Sequence, residues 1–313
     1  MLRLIRACAW PMASEAATTQ SSSASNGPWA EAVERFRQDR IATVAAIILL
    51  AIVSVALLAP WVSPQNPYDL QQLDIMDSNL PPWSASGAGS HFYVLGTDEQ
   101  GRDLLSAILY GLRISIGVGL ASGAIACTIG TLLGVFSAYR GGGVDSLMMR
   151  LVDLQLGIPV VLLAVILLAI LGRGVENVVI AIVAAQWARY ARTARGTALV
   201  EMRKEYVDAA RCLGLSGSRI VVGHVLRNCL PPVLVLATVD VAFAIALEAT
   251  LSFLGIGLPI TEPSLGRLIA NGYQQLLAGK LWLSTYPGIA LLVMVACLNI
   301  VGDRLRDVLD PRS

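Results

Sequence analysis

Between Arg40 and Asp69 the chain carries no charged residue, and residues 41–60, IATVAAIILLAIVSVALLAP, are apolar over the length a helix needs to cross a bilayer, about 20 residues. Lipid offers a backbone no hydrogen-bond partners, so such a run has to close its own bonds as a helix. Further runs follow. Residues 114–139 and 154–172 are uncharged, and 175–192 reaches crossing length if Arg189 and Arg192 snorkel at its end. Residues 229–257 are interrupted only by Asp240 and Glu248, and 283–302 is the last. Six crossings put both termini on one side. With 55% hydrophobic and 14% charged residues, against about 25% charged in a soluble domain, an all-α integral membrane protein is the expected class.

Lys and Arg gather on the inner side of membrane proteins. With the termini inside, inner segments hold eighteen of them and outer segments four, leaving out Arg113 at the start of the second crossing. Both termini and the 193–228 loop are therefore expected in the cytosol. The resulting division is a disordered Ser/Ala/Thr-rich tail over 1–34, a first crossing with its external loop over 35–110, a core of five crossings over 111–302, and a cytosolic end at 303–313. Gly119, Gly123, Gly130 and Gly134 make two small-residue steps on the second crossing, which favour close helix packing. The five cysteines have no metal-ligand or disulfide spacing.

The cytosolic loop contains one compact helix pattern, EYVDAARCLGLSGSRI, over 205–220. Opening at Glu205, it places Tyr206, Ala209, Ala210 and Leu213 at i, i+3, i+4 and i+7, one helix face. Lys204 with Asp208, and Asp208 with Arg211, are spaced for pairing, and Gly214 is placed to cap the end. A face built on two alanines and rimmed by charge suits a protein groove better than a membrane surface, which takes large residues.

These residues carry a resemblance. YVDAARCLGLSGSRIVVGHVLRN resembles the EAA loop of binding-protein-dependent ABC importer permeases, matching at Asp208, Ala209, Ala210, Gly214 and Leu226; Asp208 stands for the usual Glu and Arg227 for Pro. LGTDEQGRDLLSAILYGLRISIGVGL, AYRGGGVDSLMMRLVD, LEATLSFLGIGLP and GDRLRDVLDPR are similar to the C-type permease of dipeptide and oligopeptide importers, a resemblance that leaves nickel chelates, opines or other small solutes as the alternative substrates. The resemblance implies a type I ABC importer permease fold in the bacterial inner membrane. It also implies a second related permease, two cytosolic ATPases that bind ATP and Mg, and an external binding protein. The EAA helix then seats in an ATPase groove through Glu205, Tyr206, Asp208, Ala209, Ala210, Gly214 and Leu226. No cofactor in this chain and no nucleic-acid partner are expected.

The chain lacks its own P-loop: it has two lysines, and the Gly279-Lys280 pair has Gln274 where the first glycine belongs. The alternative is a gradient-driven transporter using Asp240 and Glu248, since ionisable groups inside a membrane often form relays. Eight residues apart, they lie about 80° from each other around a helix, so the other reading is that they face the pore or bond a neighbouring helix. Neither His91 nor His224 belongs to a catalytic motif. In the first external loop, Thr97 and Gln100 have capping-box spacing, and Asp98, Glu99, Arg102 and Asp103 are candidates for docking or gating by the binding protein. A short helix is expected within 259–282.

Overall fold

A computed structural model describes residues 34, 36–69, 73–87, 91–259 and 261–309. The tail expected over 1–34 falls outside the described residues apart from Glu34. Helix α1, Arg40–Leu57, starts where Asp39 accepts hydrogen bonds from the amides of Ile41 and Ala42, at 3.0 and 3.2 Å; a carboxylate there supplies partners that a first turn lacks. α1 buries Ala42, Ala45 and Ala56 and leaves Ile41, Val44, Ile47 and Leu50 more than half exposed. Small residues inward and large apolar ones outward is the arrangement a lipid-facing helix requires.

After the short α2, Ala59–Val62, the chain makes an irregular loop whose β1, Ser84–Ala85, pairs antiparallel with β2, Phe92–Tyr93. The loop is built around Asp77, which accepts from Ser86 Oγ at 2.6 Å, the Gly87 amide at 2.9 Å and the Tyr93 hydroxyl at 3.1 Å. The Gly87 amide and Ser86 hydroxyl hold the Asp77 carboxyl below its usual range, and burial together with Asp77 pushes Tyr93 up to about 12.

α3, Leu104–Arg140, is 37 residues long, about 55 Å at 1.5 Å per residue. It forms the mast of the fold. α4, Gly142–Leu156, and α5, Val160–Leu171, follow, then α6, Val175–Glu201, and α7, Glu205–Cys212. α8, Gly217–Ile220, leads through a π turn at Val221–Val225 into α9, Leu226–Phe253. α10, Leu265–Gln274, and α11, Trp282–Leu309, complete the chain. The two small-residue steps of α3 serve different partners. A Cβ on Gly119 would lie 2.6 Å from Ile245 on α9, and one on Gly134 would lie 2.2 Å from the Ala191 carbonyl on α6.

Among the described residues, four helices are long and apolar enough to cross a bilayer: α1, α3, the run Gly217–Phe253 and α11. The α4–α5 pair makes a fifth only if taken as one broken crossing. The expected continuous third crossing, 154–172, is corrected here: Pro159 disfavours helical backbone at Ile158, and α4 and α5 meet at 93°. α6 has 27 residues, enough to cross, but Arg189, Arg192 and Arg195 occupy its second half. The helix expected within 259–282 is α10, which packs between α9 and α11.

Candidate functional site

α7 lies between the ends of α6 and α9. Val207 and Ala210 are buried in a cluster with Tyr190, Ala194, Ala198, Ile220 and Val225, and Tyr206 and Leu226 pack partly against it. Glu205, Asp208 and Ala209 are exposed, and Leu213 is 82% exposed. The single apolar face expected over Tyr206, Ala209, Ala210 and Leu213 is thereby corrected. The two alanines divide: Ala210 packs into this chain, while Ala209 points away from it and borders Glu205 and Asp208.

The end of α7 follows from one residue. Gly214 adopts φ +77°, the left-handed conformation that costs a side chain about 1–2 kcal/mol. Its amide bonds the Arg211 carbonyl at 2.9 Å and the Leu215 amide bonds that of Ala210 at 3.2 Å, closing a Schellman cap. The Lys204–Asp208 pair expected from spacing does not form: Lys204 Nζ lies 2.6 Å from Glu201. Arg211 does meet Asp208, at 3.0 Å, with both exposed, an arrangement worth little.

Glu201, missed in the sequence, ties α7 in place. It accepts from Lys204 Nζ at 2.6 Å, the Tyr206 hydroxyl at 2.8 Å and Asn228 Nδ2 at 3.4 Å, and Asn228 also donates to the Tyr206 hydroxyl at 3.0 Å. Burial alone would raise the Glu201 carboxyl, but these donors together hold it below its usual range. Burial and Glu201 raise the Tyr206 phenol. A second tie lies nearby: Arg195 Nε and Nη2 grip the two Asp145 oxygens, each at 2.5 Å, and Ser137 Oγ donates to the same carboxylate at 2.7 Å. It joins α3, α4 and α6 at the α7 end.

The intramembrane carboxylates are enclosed rather than lining an open lumen. Glu248 is fully buried and accepts from Ser115 at 2.7 Å, Ser252 at 2.8 Å and Ser264 at 3.0 Å, joining α3, α9 and the start of α10. Asp240 is also fully buried and pairs with Arg189 Nη1 at 3.0 Å. Both carboxylates are enclosed within this chain.

At the opposite end, Asp98, Arg102 and Asp103 are 2–3% exposed. Arg102 Nε meets Asp98 at 2.7 Å, closing a turn. The capping box expected at Thr97 and Gln100 is absent; α3 starts at Asp103, which accepts from the Ser106 amide at 2.8 Å and hydroxyl at 2.5 Å. Burial raises the Asp103 carboxyl against those bonds. Of the four docking candidates only Glu99 keeps partial exposure, and Gln275 Nε2 lies 3.3 Å from it. Among the described residues no group of His, Cys, Asp and Glu is placed to hold a metal.

Comparison with known proteins matches this architecture. Residues 130–313 fit the model of the binding-protein-dependent transport system inner membrane component, and residues 27–82 fit the N-terminal TM domain of oligopeptide transport permease C. The dipeptide transport system permease protein DppC of Haemophilus influenzae is 37% identical over 279 residues, 88% of this chain and 92% of that protein. The oligopeptide transport system permease protein OppC of Bacillus subtilis is 34% identical over 284 residues, 91% and 90% of the two chains. A chain of the MetNI methionine ABC transporter, solved in inward-facing conformations, superposes with a TM-score of 0.53 at 21% identity, covering 66% of this chain and 97% of that one. With a helical core of this type and matches spanning nearly its whole length, the chain belongs to the family of binding-protein-dependent transport system inner membrane components.

Proposed function

We propose that this chain is the membrane-spanning subunit of an ATP-driven importer of di- or oligopeptides in a bacterial inner membrane. It forms half of the translocation pathway beside a second related permease. Two ATPases that bind ATP and Mg drive it from the cytosol, and an external binding protein delivers the peptide. Both termini lie in the cytosol, and the chain crosses six times with the broken α4–α5 pair as one crossing and α6 as another.

The observation that carries the coupling role is the division of α7. Its inner side is clamped to α6 and α9 through Glu201, Tyr206 and Asn228, and its outer side leaves Ala209 bare between Glu205 and Asp208. A helix held this way transmits a push from an ATPase groove as a rigid body. The peptide assignment follows the relatives, whose names concern dipeptides and oligopeptides.

Ala209→Glu tests the coupling. A charge forced into a closed groove without a partner costs several kcal/mol, so peptide uptake is expected to fall to background while the variant chain keeps its melting temperature. Ala210→Glu, buried in the chain itself, is expected to lose the folded protein instead. Normal uptake by Ala209→Glu would remove α7 from the ATPase contact.

A further inference from the structure

Gln186, Arg189 and Tyr190 are spaced i, i+3 and i+4, so α6 turns all three toward one side. Asp240 meets them from α9, about 20 Å from either end of that helix at 1.5 Å per residue. Gln186 Nε2 donates to the Asp240 carbonyl at 3.2 Å. A carbonyl only accepts, so this bond fixes the amide and leaves Oε1 as its other end. Arg189 Nη1 meets Asp240 Oδ1 at 3.0 Å, a charge contact that closes no hydrogen bond. The Tyr190 hydroxyl lies beside Asp240 and closes none either. α3 seals the junction: a Cβ on Gly130 would stand 2.6 Å from Tyr190 Cβ. Gln186, Tyr190 and Asp240 are all fully buried.

Six enclosed polar atoms at this junction therefore have no hydrogen-bond partner among the described residues: Gln186 Oε1, the Tyr190 hydroxyl, both Asp240 carboxylate oxygens, and Arg189 Nε and Nη2. Buried polar groups left unmet are costly, and proteins keep few of them. This chain alone shields each of the six, so neither a second subunit nor a passing solute reaches them. The set is also mixed. Arg189 only donates, the Asp240 carboxylate and Gln186 Oε1 only accept, and the Tyr190 hydroxyl does both. A cation would serve the oxygens alone and would lie against the guanidinium. Water serves both kinds. We propose that ordered water is built into the α3–α6–α9 junction, bridging Tyr190 and Gln186 to the Arg189–Asp240 pair. A buried water makes about three hydrogen bonds, so the six atoms call for about two such molecules. They solvate a charge pair at mid-membrane from inside the fold. The inference rests on neither the peptide nor the coupling reading.

The complete complex in nanodiscs, imaged by cryo-electron microscopy at a resolution that shows ordered water, tests the site directly. Expected are density peaks about 2.7–3.2 Å from the Tyr190 hydroxyl and from Gln186 Oε1. A Tyr190 hydroxyl that donates straight to Asp240, with no peak between the helices, overturns the proposal. X-ray radiolytic footprinting of the same sample is an independent readout, because activated bound water oxidises the side chains it touches. Relative to the free amino acids, Tyr190 is expected to oxidise about fivefold faster than Met294, which is equally buried but packed among apolar residues. Equal rates overturn the proposal. Gln186→Leu removes one acceptor and is expected to lower the Tyr190 rate about twofold while the Met294 rate holds. A Tyr190 rate unchanged by that substitution overturns the bridge. Where the variant fails to accumulate, the density and the wild-type rates decide.

Discussion

Gly214 and Glu201 set the conformation of α7 from opposite ends, and each has a measurable signature. Open space surrounds Gly214 where a Cβ would go, so Gly214→Ala tests backbone strain alone. A loss of about 1 kcal/mol is expected, read as a lowered melting temperature of the detergent-solubilised chain without loss of expression. Glu201 carries a pH signature. Its folded carboxyl lies below the ordinary value of 4.5, so its stabilising contribution is complete above that value and is lost as pH falls through the depressed one. The difference in melting temperature between wild type and Glu201→Gln should be constant from pH 8 to about pH 5.5 and shrink below pH 4.5; a difference that grows on acidification would exclude the clamp. Gly214 could be read from the sequence because its cause is local, a helix that must stop. Glu201 could not. Its partner Asn228 lies 27 residues away, and nothing in local spacing joins them.

At the scale of elements, periodicity found α7 but misassigned its sides. Adjacent helical positions differ by about 100°, so Ala209 and Ala210 share a side only loosely, and neighbours decide which is covered. Tyr190 and Ala194 on α6 and Val225 before α9 selected Val207 and Ala210, information that the α7 sequence does not contain. The two glycine steps of α3 were visible as a motif, whereas their separate partners appear only once the helices cross. Gly134→Val should therefore destroy the fold: its Cβ meets backbone, which cannot rotate away. Gly117→Ala on the same helix meets nothing within 4 Å and is expected to accumulate as wild type. Equal yields of the two variants in membranes would contradict the α3–α6 contact. The break of the third crossing had a legible cause in Gly157 and Pro159, but an uninterrupted lack of charge outweighed it in the hydropathy reading.

For the whole molecule, the proposed orientation puts Cys212 and Leu277 on opposite sides of the membrane. In membranes carrying this chain without its ATPase partners, an impermeant maleimide should label Cys212 in inverted vesicles only, and Leu277→Cys, fully exposed beyond α10, in right-side-out vesicles only. Labelling of both from one side would reverse the topology. One pair of helices deserves to be followed through the membrane. α6 and α9 are joined by a polar contact at Glu201 and Asn228 and again at Arg189 and Asp240. Both intervals are the same, about 18 Å along each axis, so the two contacts are rungs of one antiparallel ladder in constant register. Sliding one helix past the other by a single turn breaks both rungs at once and leaves the buried Asp240 carboxylate without its cation. Shear between α6 and α9 is therefore the costly motion and tilting of the pair as one frame the cheap one. A displacement imposed at α7 arrives at mid-membrane as a rotation.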